Sequence, residues 1–350
     1  MSLANSTVQL PITPPPSPVP WEKEPEEISP IESFRRTPVQ QAREITSRHR
    51  ARSNVKGALA IATNYIVCAL AICGAEAAQS LPRLYAAAAY VVSVLIIASR
   101  MRAFENLVHE ASHYNLFTSP RAHEILEFLY AFPVFRLLQD YRRSHQIHHK
   151  HLGDPARDPD VIRIKEIGLD HLPDRFGWLL FGLPATGYLS YEYLTTTFAE
   201  FWTSGSSQVS KTVYWTMILA AISATHTAAY FAQYYLVPLL VILPVTRYWA
   251  EASEHAALDL TGDFGNSRSN IGLAHLWFMH PHNDGYHAVH HLDARVPFHA
   301  LPTAHEQLMQ ENAEFKANTV VSRGFIQTFK QMRVMKMVIK DVTAVKPKSS

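Results

Sequence analysis

Three histidine clusters dominate the chemistry this sequence can offer. They read His109-Glu110-Ala111-Ser112-His113, His145-Gln146-Ile147-His148-His149 and His287-Ala288-Val289-His290-His291. On a helix, residues three or four apart share a face. His109 can therefore point with His113 at one spot, His145 with His148 and His149, and His287 with His290 and His291. Eight imidazoles converging from three helices exceed the three or four ligands of one zinc site and suit two metal ions. Imidazole takes Fe, Cu, Ni or Zn, so spacing alone leaves the metal open. Of the chain's 19 histidines, fifteen fall between His109 and His151 or between His275 and His305, which an even scatter would not produce. His49, His123, His171, His226, His275, His299 and His305 are read as solvated or satisfied core residues, and His151 and His282 lie near the clusters but off their pattern.

The elements that must carry these clusters are apolar. The chain has 350 residues, 47% hydrophobic and only 18% charged, below the roughly 25% charged of a soluble protein. A net charge of +2 gives no basic field for nucleic acid. The two cysteines, Cys68 and Cys73, exclude a disulfide scaffold, a Cys-ligated zinc finger and a four-Cys iron–sulfur cluster. Gly57 to Ala75 is uncharged for 19 residues, and Leu84 to Ser99 is a second such run between Arg83 and Arg100. Thr212 to Thr246 is uncharged for 35 residues. As one helix that run would be about 52 Å long, too long for one pass and right for two with a turn near Gln233 to Tyr235. Ile125 to Leu138, with Glu127, Pro133 and Arg136, reads as an interfacial helix, and Phe176 to Ser190 is a weaker apolar piece.

These runs predict an all-α fold: an integral membrane bundle of about four transmembrane helices, with a cytosolic helical cap carrying the histidines. Basic residues from Arg35 to Lys56 precede the first span, and Arg100, Arg102, Arg142, Arg143 and Lys150 follow the second. The positive-inside rule then places both termini and every histidine cluster on the cytosolic face. Residues 1–50 are expected to be a disordered proline-rich tail, 51–325 the membrane domain and 326–350 a C-terminal tail. No signal peptide is expected, because the first apolar stretch lies deep in the chain.

The boxes HxxxH, HxxHH and HxxHH, in this order and relation to the spans, resemble those of the membrane fatty acid desaturase superfamily. So do the 36 residues from His109 to His145, Gly153-Asp154-Pro155 through Asp158-Pro159-Asp160, Asn283-Asp284-Gly285-Tyr286 before the third box, and Pro297 to Pro302 behind it. The resemblance spans about residues 57 to 310. It implies a non-haem di-iron centre, two Fe(II) ions with O2 as co-substrate, held by His109, His113, His145, His148, His149, His287, His290 and His291. It adds a ninth ligand, His255, with Glu251 four residues before it. Glu251 or Glu254 is expected to orient the His255 ring, and Glu110, Glu251 and Asp284 to tune the centre. The implied reaction is desaturation of an acyl or acyl-like chain at the membrane, with hydroxylation, ketolation or acetylenic-bond formation as rivals. The implied substrates include an acyl-CoA, an acyl lipid, a carotenoid or prenyl chain, or a small biosynthetic intermediate. No HPGG occurs, so electrons are expected from a separate carrier, cytochrome b5 with its reductase or ferredoxin. Lys346 and Lys348 resemble a dilysine retrieval signal, which implies the endoplasmic reticulum in a eukaryotic cell.

Two other readings compete. His109 to His113 also fits HExxH, the zinc-hydrolase pattern, with Glu110 as general base and Asp284 as a third ligand. It leaves six box histidines idle. A metal transporter should line its membrane path with histidines, and only His226 lies inside an expected span.

Overall fold

Apolar helices of unequal burial set the architecture. The computed structural model describes residues 36–339, and from Thr37 onward they belong to one unit. Among them, three helices are long and apolar enough to cross a membrane: Asn54–Ser80, Arg83–Ser112 and Ala228–His255. The first starts at Ser53, whose side chain accepts the Lys56 N–H. It packs along the second, and Pro82 at the second's N-cap turns the chain between them.

The Arg83–Ser112 helix has 30 residues, hence a length of about 45 Å against a hydrocarbon core of about 30 Å. Its composition divides accordingly. Leu84, Tyr85, Val91 and Val92 are exposed apolar residues, as a lipid-facing surface requires. From Ile97 to Ser112 every residue is buried, including Arg100, Arg102, Glu105, Asn106, His109 and Glu110. Charges at that depth must be paired. Arg102 donates to the Met279 carbonyl and reaches Glu105, Glu254 and Asp284. One end of the helix is therefore a membrane element and the other a polar scaffold.

The expected fourth span is not established. The run from Thr212 breaks at His226-Thr227, not at Gln233 to Tyr235. His226 adopts a left-handed conformation that ends the Gln208–Thr225 helix, and the Thr225 and Thr227 hydroxyls bond each other. Gln233 to Tyr235 instead stay inside the next helix. There Tyr234 donates to Glu76, Tyr235 to the Pro133 carbonyl, and the Gln233 carbonyl accepts from Tyr90. Polar groups that looked like turn formers are satisfied by neighbouring helices. The Gln208–Thr225 helix carries Lys211, which is buried and donates to the Phe201 and Ser204 carbonyls.

Order also reaches further toward both ends than expected. Pro38–Ser47 is a helix, closed by a capping box between Thr37 and Gln40. It buries Ala42 and Ile45 against Val289, Leu301 and Leu308, and Thr46 donates to Asp293. The tail boundary at residue 50 is thus too late. Phe325–Val334 is likewise a helix with Thr328 and Met332 buried, so a tail from 326 begins too early. Residues 1–35 and 340–350, with the proline-rich stretch and the paired lysines, lie outside the described residues.

A two-stranded parallel sheet anchors the third box. Arg268, Ser269 and Asn270 pair with Val320, Val321 and Ser322, and Ser269 also bridges to Tyr286. Gly285 lies so close to this sheet that a Cβ there would collide with the Asn270 carbonyl. Gly285→Ala is expected to lower stability by about 1–3 kcal/mol, the usual cost of overpacking. An unchanged melting temperature would refute that close approach.

Candidate metal centre

The nine candidate histidines come from four elements. His109 and His113 end the Arg83–Ser112 helix, and His145, His148 and His149 lie on Leu138–His151. His255 is the last residue of the Ala228–His255 helix. His287, His290 and His291 occupy the short helix His287–Leu292. All nine meet, in two adjoining clusters.

The first cluster holds His109, His113, His145, His149 and His290, with one ring nitrogen of each within 4.8 Å of the others. The Nε2–Nε2 separations are 2.9 Å for His109–His290, 3.0 Å for His149–His145 and 2.9 Å for His149–His290. The second cluster holds His148, His255 and His291. His287 joins it, with its Nε2 3.1 Å from both His255 and His291. Each HxxHH box is split. His145 and His149 go to the first cluster and His148 to the second, whereas His287 and His291 go to the second and His290 to the first.

The rings are arranged as donors to a cation. Nδ1–H of His109 donates to Asp284 at 2.7 Å, of His148 to Asp158 at 2.8 Å and of His255 to the Asn266 carbonyl at 2.9 Å. A neutral imidazole has one N–H, so in their neutral form these three rings would each present a bare Nε2 lone pair. His255 Nε2 faces His287, His148 Nε2 faces His291 and His109 Nε2 faces His290. The buried His113 Nε2 has no hydrogen-bond partner. Converging lone pairs repel unless a cation lies among them. Burial, reinforced by the neighbouring imidazoles, pushes His113, His145, His149, His290 and His291 well below the ordinary histidine value, which keeps them neutral and able to ligate. Burial also opposes charge on His148, but Asp160 and Asp158 outweigh it and lift the ring to about 9. A metal ion at Nε2 would take the place of that proton, favoured by the same two carboxylates. The donor set fits two metal ions of the iron, copper, nickel or zinc type.

Comparison with known proteins decides the family. The fatty acid desaturase family profile matches residues 85–322, more than half of the chain. The chain belongs to the fatty acid desaturase family. The dihydrorhizobitoxine desaturase of Bradyrhizobium elkanii is 28% identical over 302 residues, covering 80% of this chain and 84% of its own length. As a fatty acid desaturase family member the chain is a desaturase-like oxidoreductase, and its three long apolar helices fit a membrane-bound family.

Several expectations about this desaturase-family site need correction. Glu251 does not orient His255, since it pairs with Arg163 at 2.6 Å and Arg247 at 2.8 Å. Glu254 is nearer Arg102, His280 and His287 than His255's Nδ1, which is taken by Asn266. Glu110 accepts the Phe298 N–H at 2.8 Å, which ties it to the segment behind the third box. Asp284 is engaged by the His109 Nδ1–H. The HExxH reading also needs two histidines, whereas His109 and His113 share their cluster with three more.

The sequence pointed to Asp284, which orients His109, but not to Asp158 or Asn266. Asp158 was visible only as part of a family-like stretch. It accepts from His148, from the Gly153 N–H and, as N-cap of Pro159–Glu166, from the Asp160 and Val161 N–H groups. The fully buried Arg268 donates to the Ser253 and Ala256 carbonyls and so caps the helix end that bears His255. His282, set aside from the sequence, pairs with Asn64 at 3.1 Å and belongs to neither cluster.

Proposed function

We propose that this chain is an O2-dependent di-iron oxidoreductase that introduces a carbon–carbon double bond. His109, His113, His145, His149 and His290 would hold one iron, and His148, His255, His287 and His291 the other. The observation that carries this reading is the convergence of nine imidazoles in two clusters. The overall balance is –CH2–CH2– plus O2, two electrons and two protons, giving –CH=CH– and two waters. Reduced iron, when bound, would activate O2 as the oxidant of unactivated C–H bonds, which no side chain can do. The protein's part is to keep the imidazoles neutral, orient them through Asp284, Asp158 and Asn266, and present the substrate carbons from the adjoining cavity.

Electrons come from a separate carrier, cytochrome b5 with its reductase or ferredoxin. Both termini and the histidine boxes face the cytosol, with Gln208–Thr225 as the further crossing that this requires, consistent with the basic residues flanking the first two apolar helices.

The test is metal content combined with product mass. The detergent-purified protein should hold close to two irons, and with O2 and a reductant it should yield a product lacking two hydrogens. A product that gains one oxygen atom would reassign it as a hydroxylase. One zinc per chain and no iron would end the di-iron reading.

A further inference from the structure

We infer that the segment leading into the third histidine box lies in lipid at the membrane surface, on an apolar face built from three short elements. This placement depends on the apolar spans and not on the chemistry proposed above. The elements are Trp178–Gly182, His275–Met279 with Leu273 just before it, and Phe325–Val334. Between them they expose Trp178, Phe181, Leu273, Trp277, Phe278 and Ile326. Leu273 is 75% exposed, Ile326 74% and Trp277 55%, so the described residues leave these side chains uncovered. Phe329 packs on Phe181 with ring centroids 5.8 Å apart, and Phe325 on His275 at 4.8 Å, which joins the three elements. Large exposed apolar surfaces of this kind mark a partner or a membrane.

Two ties set the depth of the face. The Trp277 carbonyl accepts from Ser99 and, at 2.9 Å, from Arg100, whose guanidinium lies 5.4 Å from the Trp277 ring centroid. Ser99 stands about 24 Å along its helix from Arg83, inside a hydrocarbon core of about 30 Å. The exposed apolar side of that helix runs up to Leu95, about one turn before Ser99, so the lipid-facing surface continues to Trp277. On the other side, Tyr248 donates to the Leu179 carbonyl and Trp249 to the Leu180 carbonyl, both at 2.7 Å. Tyr248 and Trp249 lie about 20 residues into the Ala228–His255 helix, the length that crosses the same core. Lys330 and Arg333 are also exposed and follow Ile326 on one helical face. Aromatic and aliphatic side chains bordered by cations are the composition of an interfacial element. From Met279 the chain runs on to Asp284, which takes the His109 Nδ1–H. The lipid contact is therefore made by the stretch that positions a ligand of the first cluster.

The experiment is thiol labelling of the iron-loaded full chain in nanodiscs of phosphatidylcholine and phosphatidylglycerol, one chain per disc. Leu273→Cys and Ile326→Cys are made in a Cys68→Ala, Cys73→Ala background, with the exposed Glu306→Cys as control. A charged, membrane-impermeant maleimide should label the first two at least roughly tenfold more slowly than the control, because a thiol in apolar surroundings stays protonated. All three should react alike once sodium dodecyl sulfate unfolds the chain. Labelling of Leu273→Cys and Ile326→Cys at the control rate would overturn the inference and turn the face to water. Protection seen only when two chains share a disc would also overturn it, and assign the face to a second copy of this chain. If the cysteine-free background does not fold, Trp277→Phe in the native chain decides. The emission it removes should be quenched by brominated phosphatidylcholine in the disc, and quenching by aqueous iodide alone would overturn the inference.

Discussion

Changing His148 to alanine is expected to cost the protein most of its iron and all measurable double-bond formation, while the chain still folds and inserts. His148 is buried, and its Nε2 lies 3.3 Å from that of His291 in the smaller cluster. That cluster has four imidazoles, so the change leaves three and removes one of the donors to the buried Asp158 carboxylate. Iron analysis and a product assay on the purified variant check this. His151→Ala is the control, because His151 shares the helix and lies in neither cluster. Full activity in His148→Ala would remove it from the ligand set.

Asp158→Ala should act on stability and metal together. Asp158 N-caps Pro159–Glu166, and losing such a cap costs about 0.5–2 kcal/mol. It also fixes the His148 ring, and losing a partner of that kind typically lowers metal affinity or activity about 10- to 100-fold. Asp158→Asn separates the two roles. An asparagine oxygen can still cap the helix, so stability should largely return, but without the negative charge His148 becomes a poorer donor. Thermal melts and iron titration of both variants read the two effects apart. Equal iron affinity in Asp158→Ala and wild type would show that Asp158 serves the helix alone.

The boxes were legible in the sequence because ligation from a helix demands i, i+3 and i+4 spacing, and His255 was legible through its family position. The division of each box between two clusters was not, because it depends on which neighbour each side of the helix meets. Orienting groups were hidden for a related reason. Asn266 serves His255 through its backbone carbonyl, which leaves no mark on residue type. Two helical stretches escaped because hydropathy does not report tertiary pairing. Gln233 to Tyr235 read as a turn until Tyr90, Glu76 and Pro133 supply partners. Pro38–Ser47 carries its apolar residues at helical spacing, Val39, Ala42 and Ile45, but with ten residues it depends on the elements it packs against to fold.

Because the Leu138–His151 and His287–Leu292 helices each serve both clusters, neither can turn about its axis to improve one without spoiling the other. One inserted residue would rotate the following histidines by about 100°, the angle per residue of a helix with 3.6 residues per turn. Both coordination spheres would lose donors at once. The two clusters are geared to common shafts, and their separation is set by helix rotation instead of by any single bridging side chain.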